Sequence, residues 1–381
     1  MVQILDSTLR EGEQTPGVYF NIHIKLAIAR LLDEIGVDYI EVGHPAVSKD
    51  IEYAVKQISQ KKLNATVCAH SRTSKKDIDQ ALDCSVGFIG IFYCVSERRL
   101  ATVHKKCFPS AVEKIVKTIR YAKRKNPQIT VRYTPEDTVR STFQNVLESS
   151  TAAVEAGADI ISIADTTGYM VPGTERDMYN YVLNFKKKLV DYGISPKIAV
   201  HCHNDRGLAL ANALGAYRAG ADIIDTAVLG LGERAGIVDL GQLLMTLSTD
   251  FNEGNWNLKP LPRLYSLVSK YSEPIPVNFP VTGKNAFTHC AGIHTHAATI
   301  DPLHYQSLDP APLGRKTEIS LDHMSGISSV RYALEQIGEE AGEERMTKVL
   351  ERVKRVGQKG RTVSPEELKH IVSMYKKEEK R

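Results

Sequence analysis

The chain has 381 residues, 42% hydrophobic and 25% charged, the size and composition of an ordinary globular protein with one large folded unit and a smaller one. A net charge of +4, with Lys and Arg interleaved among acids, is too mild to imply nucleic acid or a membrane surface as partner. No apolar stretch reaches the length of a membrane span, and Met1-Val2-Gln3-Ile4 runs into a strand rather than a leader, so a cytoplasmic protein is expected.

From the N-terminus, Val/Ile-rich runs alternate with helical patterns. The expected strands are residues 2–6, 38–42, 64–69, 87–93, 128–133, 159–164, 197–202 and 222–228. Helical stretches at 24–36, 74–83, 109–125, 143–155, 174–190 and 206–219 lie between them. Several strands are apolar on both faces, as a buried parallel sheet requires. Gly36-Val37-Asp38, Gly157-Ala158-Asp159 and Gly220-Ala221-Asp222 each close a helix just before a strand. Eight strand–helix units in this span predict an α/β fold, a (β/α)₈ TIM barrel over residues 1–250, with a doubly wound open sheet as the alternative. Beyond it the pattern predicts a linker or lid subdomain at 251–325 and a small, mainly helical C-terminal domain at 326–381. Ser364-Pro365-Glu366-Glu367 there reads as a helix start.

In such a barrel the chemistry sits at the C-terminal ends of the strands. Polar residues gather there: Arg10 and Glu11 after strand one, His70 on strand three, and Arg132, Thr134 and Glu136 on strand five. Asp165 and Thr166 follow strand six, His201, His203 and Asn204 strand seven, and the loop Gly230–Gly236 strand eight. Period-two alternation puts His201 and His203 on one strand face, with Cys202 opposite, in the core. With Glu11 they make a candidate divalent-metal site, for zinc, manganese, magnesium or cobalt. Arg10 beside it could stabilise a developing oxyanion, and Asp6, inside the strand, reads as a supporting residue. Arg132, Thr134, Thr166 and His70 could bind the carboxylates of a dicarboxylate. Glu136 and His294 are candidates for proton transfer, though His289 and His296 flank the latter. The six cysteines form no CxxC pair, which suits reduced thiols.

At this point the sequence resembles the DRE-TIM metallolyases, in the branch of the homocitrate and isopropylmalate synthases. The carrying motifs are LDSTLREGEQ (Leu5–Gln14), VRYTPED (Val131–Asp137), ADTTG (Ala164–Gly168), HCHND (His201–Asp205), GLGERAG (Gly230–Gly236) and FTHCAGIH (Phe287–His294). The resemblance implies a condensation of acetyl-CoA, as co-substrate, with a 2-oxo acid, followed by thioester hydrolysis. By position it implies Glu11, His201 and His203 as metal ligands, and Arg10 as the group that polarises the keto oxygen. It implies Gln14 among the substrate-binding residues, and Glu136 and His294 in proton transfer. It also implies a homodimer, in which the segment around His294 reaches over the partner's barrel. Ile237, His70 with Arg72, Glu11 in place of Asp, and Gly43-His44-Pro45 resemble the homocitrate type of lysine biosynthesis. An isopropylmalate- or citramalate-type synthase stays open as the alternative. An acidic residue that binds inhibitory lysine in some relatives is Gly90 here.

Overall fold

The computed structural model describes residues 1–378. Eight parallel strands close into a barrel, β1 (Gln3–Asp6), β2 (Tyr39–Gly43), β3 (Thr66–Arg72), β4 (Phe88–Cys94), β5 (Thr130–Glu136), β6 (Ile160–Asp165), β7 (Lys197–Cys202) and β8 (Ile223–Thr226). Each pairs with its sequence neighbour, and β8 pairs back onto β1. The barrel, rather than the open sheet, is therefore the architecture. All eight strands fall on the expected apolar runs. Two run three residues past their expected ends: β3 continues to Arg72 and β5 to Glu136, because their polar residues remain in the ladder beside β4.

The surrounding helices are α1 (Ile22–Ile35), α2 (Lys49–Ser59), α3 (Lys75–Asp83), α4 (Phe108–Lys125), α5 (Phe143–Glu155), α6 (Met178–Asp191), α7 (Ala209–Arg218), α8 (Leu240–Asp250) and α9 (Leu261–Ser269). Helix α2 was not among the expected stretches. Only Ala54, Val55 and Ile58 of its residues are buried, and it starts where the Ser48 hydroxyl accepts the Ile51 N–H at 3.2 Å. The three Gly-x-Asp sequences do two jobs. Gly36, Gly157 and Gly220 adopt φ of 92°, 110° and 87°, which ends each helix without strain. The aspartates then reach sideways. Asp38 accepts the Ile4 N–H, Asp159 that of Val131 and Asp222 that of Ile198, each at 2.8 Å, tying neighbouring strands together at the barrel's lower end.

The barrel interior is layered. Leu5, Cys68, Phe88, Ile160, Ala199 and Ile223 form one buried apolar cluster. Two residues further along each strand, on the same face by the period of the pleat, stand Ser7, His70, Gly90, Ser162, His201 and Asp225. Glu41 and Arg132 complete this level from β2 and β5.

The expected end of the barrel at residue 250 is not where the first compact unit stops: it runs from Met1 to Ile275. Helix α9 buries Leu261, Leu264, Tyr265 and Val268, and the Tyr265 hydroxyl donates to Asp239 at 2.7 Å while accepting from Gly241 N. The second unit begins at Pro276. It contains α10 (Gly292–Ile300), α11 (Ile327–Gln336), α12 (Glu343–Gly357) and α13 (Pro365–Glu378). Leu321, Val330, Leu334, Val349, Val353, Leu368 and Ile371 are among its core residues. The start of α13 is as expected: Ser364 Oγ accepts the Glu367 N–H at 3.2 Å, although the Glu367 carboxylate pairs with Arg361 instead of closing the box.

Candidate active site and metal centre

A cavity of about 380 Å³ opens at the C-terminal ends of the strands. Its walls include Arg10, Glu11, Gln14, His70, Arg132, Thr134, Glu136, Thr166, His201 and His203. Every site residue expected on the barrel is therefore in one place. His294 is not on the barrel: it lies on α10 of the second unit, exposed, with its ring stacked on Tyr305 at 4.2 Å between centroids.

Glu11, His201 and His203 offer ligand atoms that all lie within 4.8 Å of one another. The donor set is tested by what its other atoms do. His201 Nδ1 is 3.0 Å from Asp225 Oδ2, which fixes the tautomer and leaves Nε2 for an ion. His203 Nδ1 is buried and has no hydrogen-bond partner. A buried, unpaired imidazole nitrogen beside a carboxylate is what a metal ligand looks like without its ion. Burial, then the neighbouring His201, pushes the His203 imidazole down to about 4. Burial would raise the Glu11 carboxyl, but Arg10 and the two histidines hold it below its ordinary value. Gln14 places its amide 3.0 Å from both Glu11 oxygens, as an N–H donor would. The residues present therefore fit a divalent ion.

The Gly230–Gly236 loop braces this centre. Glu233 N donates to Glu11 Oε1 at 3.1 Å, and a Cβ on Gly232 would stand 3.1 Å from Glu11 Cγ. At Gly236, where φ is 77°, a Cβ would meet the Gly230 carbonyl at 1.7 Å. Arg234 reaches back to Asp205 of the His201–Asp205 motif at 2.7 Å and to the Thr166 carbonyl at 2.7 Å. Close packing accounts for these glycines.

The centre of the polar level is Glu41, a residue the sequence did not single out. Its carboxylate accepts from Ser7 Oγ at 2.6 Å, Arg10 Nε at 2.8 Å and His70 Nδ1 at 3.0 Å, and lies 3.5 Å from Arg132 Nη2. Burial alone would raise its carboxyl, but Arg10, His70 and Arg132 hold it well below the usual carboxylate range. Asp225, also missed, accepts from both Arg132 Nη1, at 2.9 Å, and His201. One signal for both was available: an acid inside an otherwise apolar strand, as in Ile40-Glu41-Val42 and Ile224-Asp225. Which cations they would meet depends on register across the barrel, which sequence does not carry.

These pairings sort the expected residues. Arg10 is engaged by Glu41 and Glu11, leaving two of its five N–H groups uncommitted. Arg132 is buried against Asp225 and Glu41, so both its Nη groups are bound within the protein. His70 stacks on Phe92 at 4.7 Å, and burial, then Arg10, lowers its imidazole to about 4. Arg72 points elsewhere, pairing with Asp77 at 2.7 Å while its side chain is 62% exposed. Asp77 also holds His44, which lines the cavity. Glu136 Oε1 is 2.9 Å from Arg99. Thr166 Oγ1 accepts the Asp137 N–H at 3.0 Å and so shapes the β5 turn as well as the cavity wall. Asp6 accepts from Thr8 N and Thr226 Oγ1, and burial pushes its carboxyl up to about 7, a bracing role as expected. Cys202 is fully buried.

The comparisons with known proteins bear on both units. The family model described as HMGL-like matches residues 1–268, and that described as the homocitrate synthase post-HMGL domain matches residues 281–361. The chain is 44% identical over 348 residues to a homocitrate synthase of Pyrococcus horikoshii, covering 91% of this chain and 93% of the relative. It is 45% identical over 337 residues to that of Pyrococcus abyssi, covering 88% and 90%. An HMG-CoA lyase structure from Bacillus subtilis shares the barrel fold at a TM-score of 0.61 and 22% identity, covering 72% of this chain and 95% of that one. Among the described residues no helix is long and apolar enough to cross a membrane. The chain belongs to the HMGL-like family and, within it, to the group that contains the homocitrate synthases.

Proposed function

We propose that the protein is a homocitrate synthase, an acyltransferase that condenses acetyl-CoA with 2-oxoglutarate and hydrolyses the thioester, in lysine biosynthesis. The observation that carries this reading is a single cavity with a metal-ligating triad at one end and the buried cations Arg10 and Arg132 beside it. Glu11, His201 and His203 would hold a divalent ion, zinc, manganese, cobalt or magnesium, which would supply a Lewis acid for the 2-oxo acid.

The chain's own groups do the rest. Arg10, fixed by Glu41, offers its free N–H groups to the keto oxygen, where negative charge grows as the carbon–carbon bond forms. The hydroxyls of Thr134 and Thr166 line the cavity as donors for the acid's carboxylates, and His70, whose Nδ1–H is given to Glu41, lines it beside them. Glu136, held through one oxygen by Arg99, has its other oxygen to accept a methyl proton from acetyl-CoA. His294 is the partner in proton transfer. Ile293, Ile300 and Leu303 near it are 79%, 70% and 57% exposed, an apolar surface that supports docking on a second copy in a homodimer. Six free thiols accord with a reducing, cytoplasmic setting.

An acceptor panel tests the reading. Thiol release from acetyl-CoA is expected to be greatest with 2-oxoglutarate. A preference for 2-oxoisovalerate or pyruvate would assign the alternative isopropylmalate- or citramalate-type activity, and no release with any acceptor would sink the condensation.

A further inference from the structure

We propose that His44 is the base for the second half of the reaction: its Nδ1 takes a proton from the water that attacks the thioester carbonyl of the condensation product. This rests on the condensation reading above and adds to it a catalytic residue for the hydrolysis, a step that Arg10 and Glu136 leave without a base.

His44 directly follows β2 and lines the cavity. Its Nε2 stands 2.9 Å from Asp77 Oδ2. Asp77, in the first turn of α3, is 1% exposed and is clamped by Arg72, whose Nε and Nη2 donate to its two oxygens at 2.7 and 3.1 Å. Burial would raise the Asp77 carboxyl, but Arg72 and His44 hold it below its ordinary value. An ionised carboxylate only accepts, so Nε2 carries the ring's proton and Nδ1 its lone pair. Among the described residues nothing binds Nδ1, and it is not one of the polar atoms sealed from solvent. Burial lowers the His44 imidazole more than Asp77 raises it, so the ring is neutral at neutral pH. A neutral imidazole steadied by a buried carboxylate, with its second nitrogen open, is what a general base requires.

The chemistry creates the need for it. Carbon–carbon bond formation leaves the methyl proton on Glu136, so Glu136 enters the hydrolysis as an acid. The carbon that water attacks is bonded to the former methyl carbon, and so lies in the same cavity. The cavity's imidazoles on β3 and β7 are engaged: His201 and His203 as metal ligands in this reading, and His70 by Glu41, its ring lowered by burial to about 4. With His44 as base, the water oxygen bonds to the carbonyl carbon, its proton passes to Nδ1, and the carbon–sulfur bond breaks. The imidazolium, held by Asp77, then returns that proton to the leaving thiolate, so the step balances with water alone.

The test gives acetyl-CoA and 2-oxoglutarate to the manganese-loaded protein. Thiol release is followed by absorbance, and acid-quenched samples are searched by mass spectrometry for the CoA thioester of the condensation product. His44→Gln, which keeps a donor for Asp77, is expected to slow release about 100-fold while that thioester accumulates. In His44→Ala, added imidazole is expected to restore release and consume the thioester, which a purely structural role would not allow. Release by His44→Gln at the wild-type rate would overturn the proposal and keep the condensation. Slowed release with no thioester in either variant and no rescue by imidazole would overturn it too. No release by the wild type would sink the condensation, and the base with it.

Discussion

The two levels of the barrel interior share one backbone geometry and opposite chemistry. At the lower one, Leu5, Cys68, Phe88, Ile160, Ala199 and Ile223 fill the space as a core does. Two residues further along stand Ser7, His70, Ser162, His201 and Asp225, joined by Glu41 of β2 and Arg132 of β5. The lower level stabilises the fold by burial alone. The upper level is buried too, and holds its charges only because nearly every one is answered: Glu41 by Arg10 and His70, Asp225 by Arg132 and His201. The comparison teaches that the site is a continuation of the core in which packing has been replaced by ion pairing. Its residues should therefore be intolerant to substitution for two separate reasons.

Breaking the upper level at its centre should have the largest effect. Glu41→Gln leaves Arg10 and Arg132 buried beside a neutral group, and a loss of about 3–5 kcal/mol in unfolding free energy is expected. Denaturant titration measures it, and a loss below about 1 kcal/mol would mean that Glu41 is not the counter-charge that the geometry implies. The lower level should fail differently. Leu5→Ala creates a cavity and is expected to cost about 2–4 kcal/mol while leaving metal affinity unchanged, since its side chain belongs to the apolar cluster. If metal affinity fell as far as stability, the two levels would be one mechanical unit.

Asp225→Asn probes the join between them. It removes the carboxylate that orients His201, and metal affinity is expected to drop about 10- to 100-fold, read by competition with a chromogenic chelator. A smaller effect comes from pH. The native His70 imidazole titrates at about 4 against an ordinary 6.5, so in that window the unfolded chain takes up the proton and the native one does not. Its contribution is present above pH 6.5 and lost as pH falls toward 4, with a slope of about 1.4 kcal/mol per pH unit. His70→Gln should flatten that slope in denaturant titrations run across the window. The smallest effect belongs to Arg72: its side chain is 62% exposed, and the buried Asp77 it pairs with keeps His44 as a second partner, so Arg72→Ala should cost about 1 kcal/mol.

Much of this was legible in the chain. Alternating Val/Ile runs predicted all eight strands, because a buried parallel sheet leaves few polar positions to confuse the pattern. The His201–His203 spacing and Glu11 pointed to the candidate metal site, whose ligand atoms lie within 4.8 Å of one another, since period-two alternation fixes a shared face before any tertiary contact is known. What sequence could not supply was pairing across the barrel. Arg132 reads as a free carboxylate binder, but its two Nη groups are held by Asp225 and Glu41, on β8 and β2. Glu41 itself was invisible as a hub, because its partners come from the β1 turn, β3 and β5. Arg72 looked like a companion of His70, and period two does put both on one face of β3, yet Arg72 pairs with Asp77 and its side chain is 62% exposed. Helix α2 buries only Ala54, Val55 and Ile58 among polar residues, and the Ser48 cap marks its start.

The most direct measurement is thiol release from acetyl-CoA with 2-oxoglutarate, before chelation, after removal of metal, and after divalent ion is restored. Chelation is expected to abolish release, the restored ion to recover it in the wild type, and His203→Ala not to recover. A rate unaffected by chelation, or a His203→Ala protein as active as the wild type, would contradict the assignment of Glu11, His201 and His203 as the centre of the reaction.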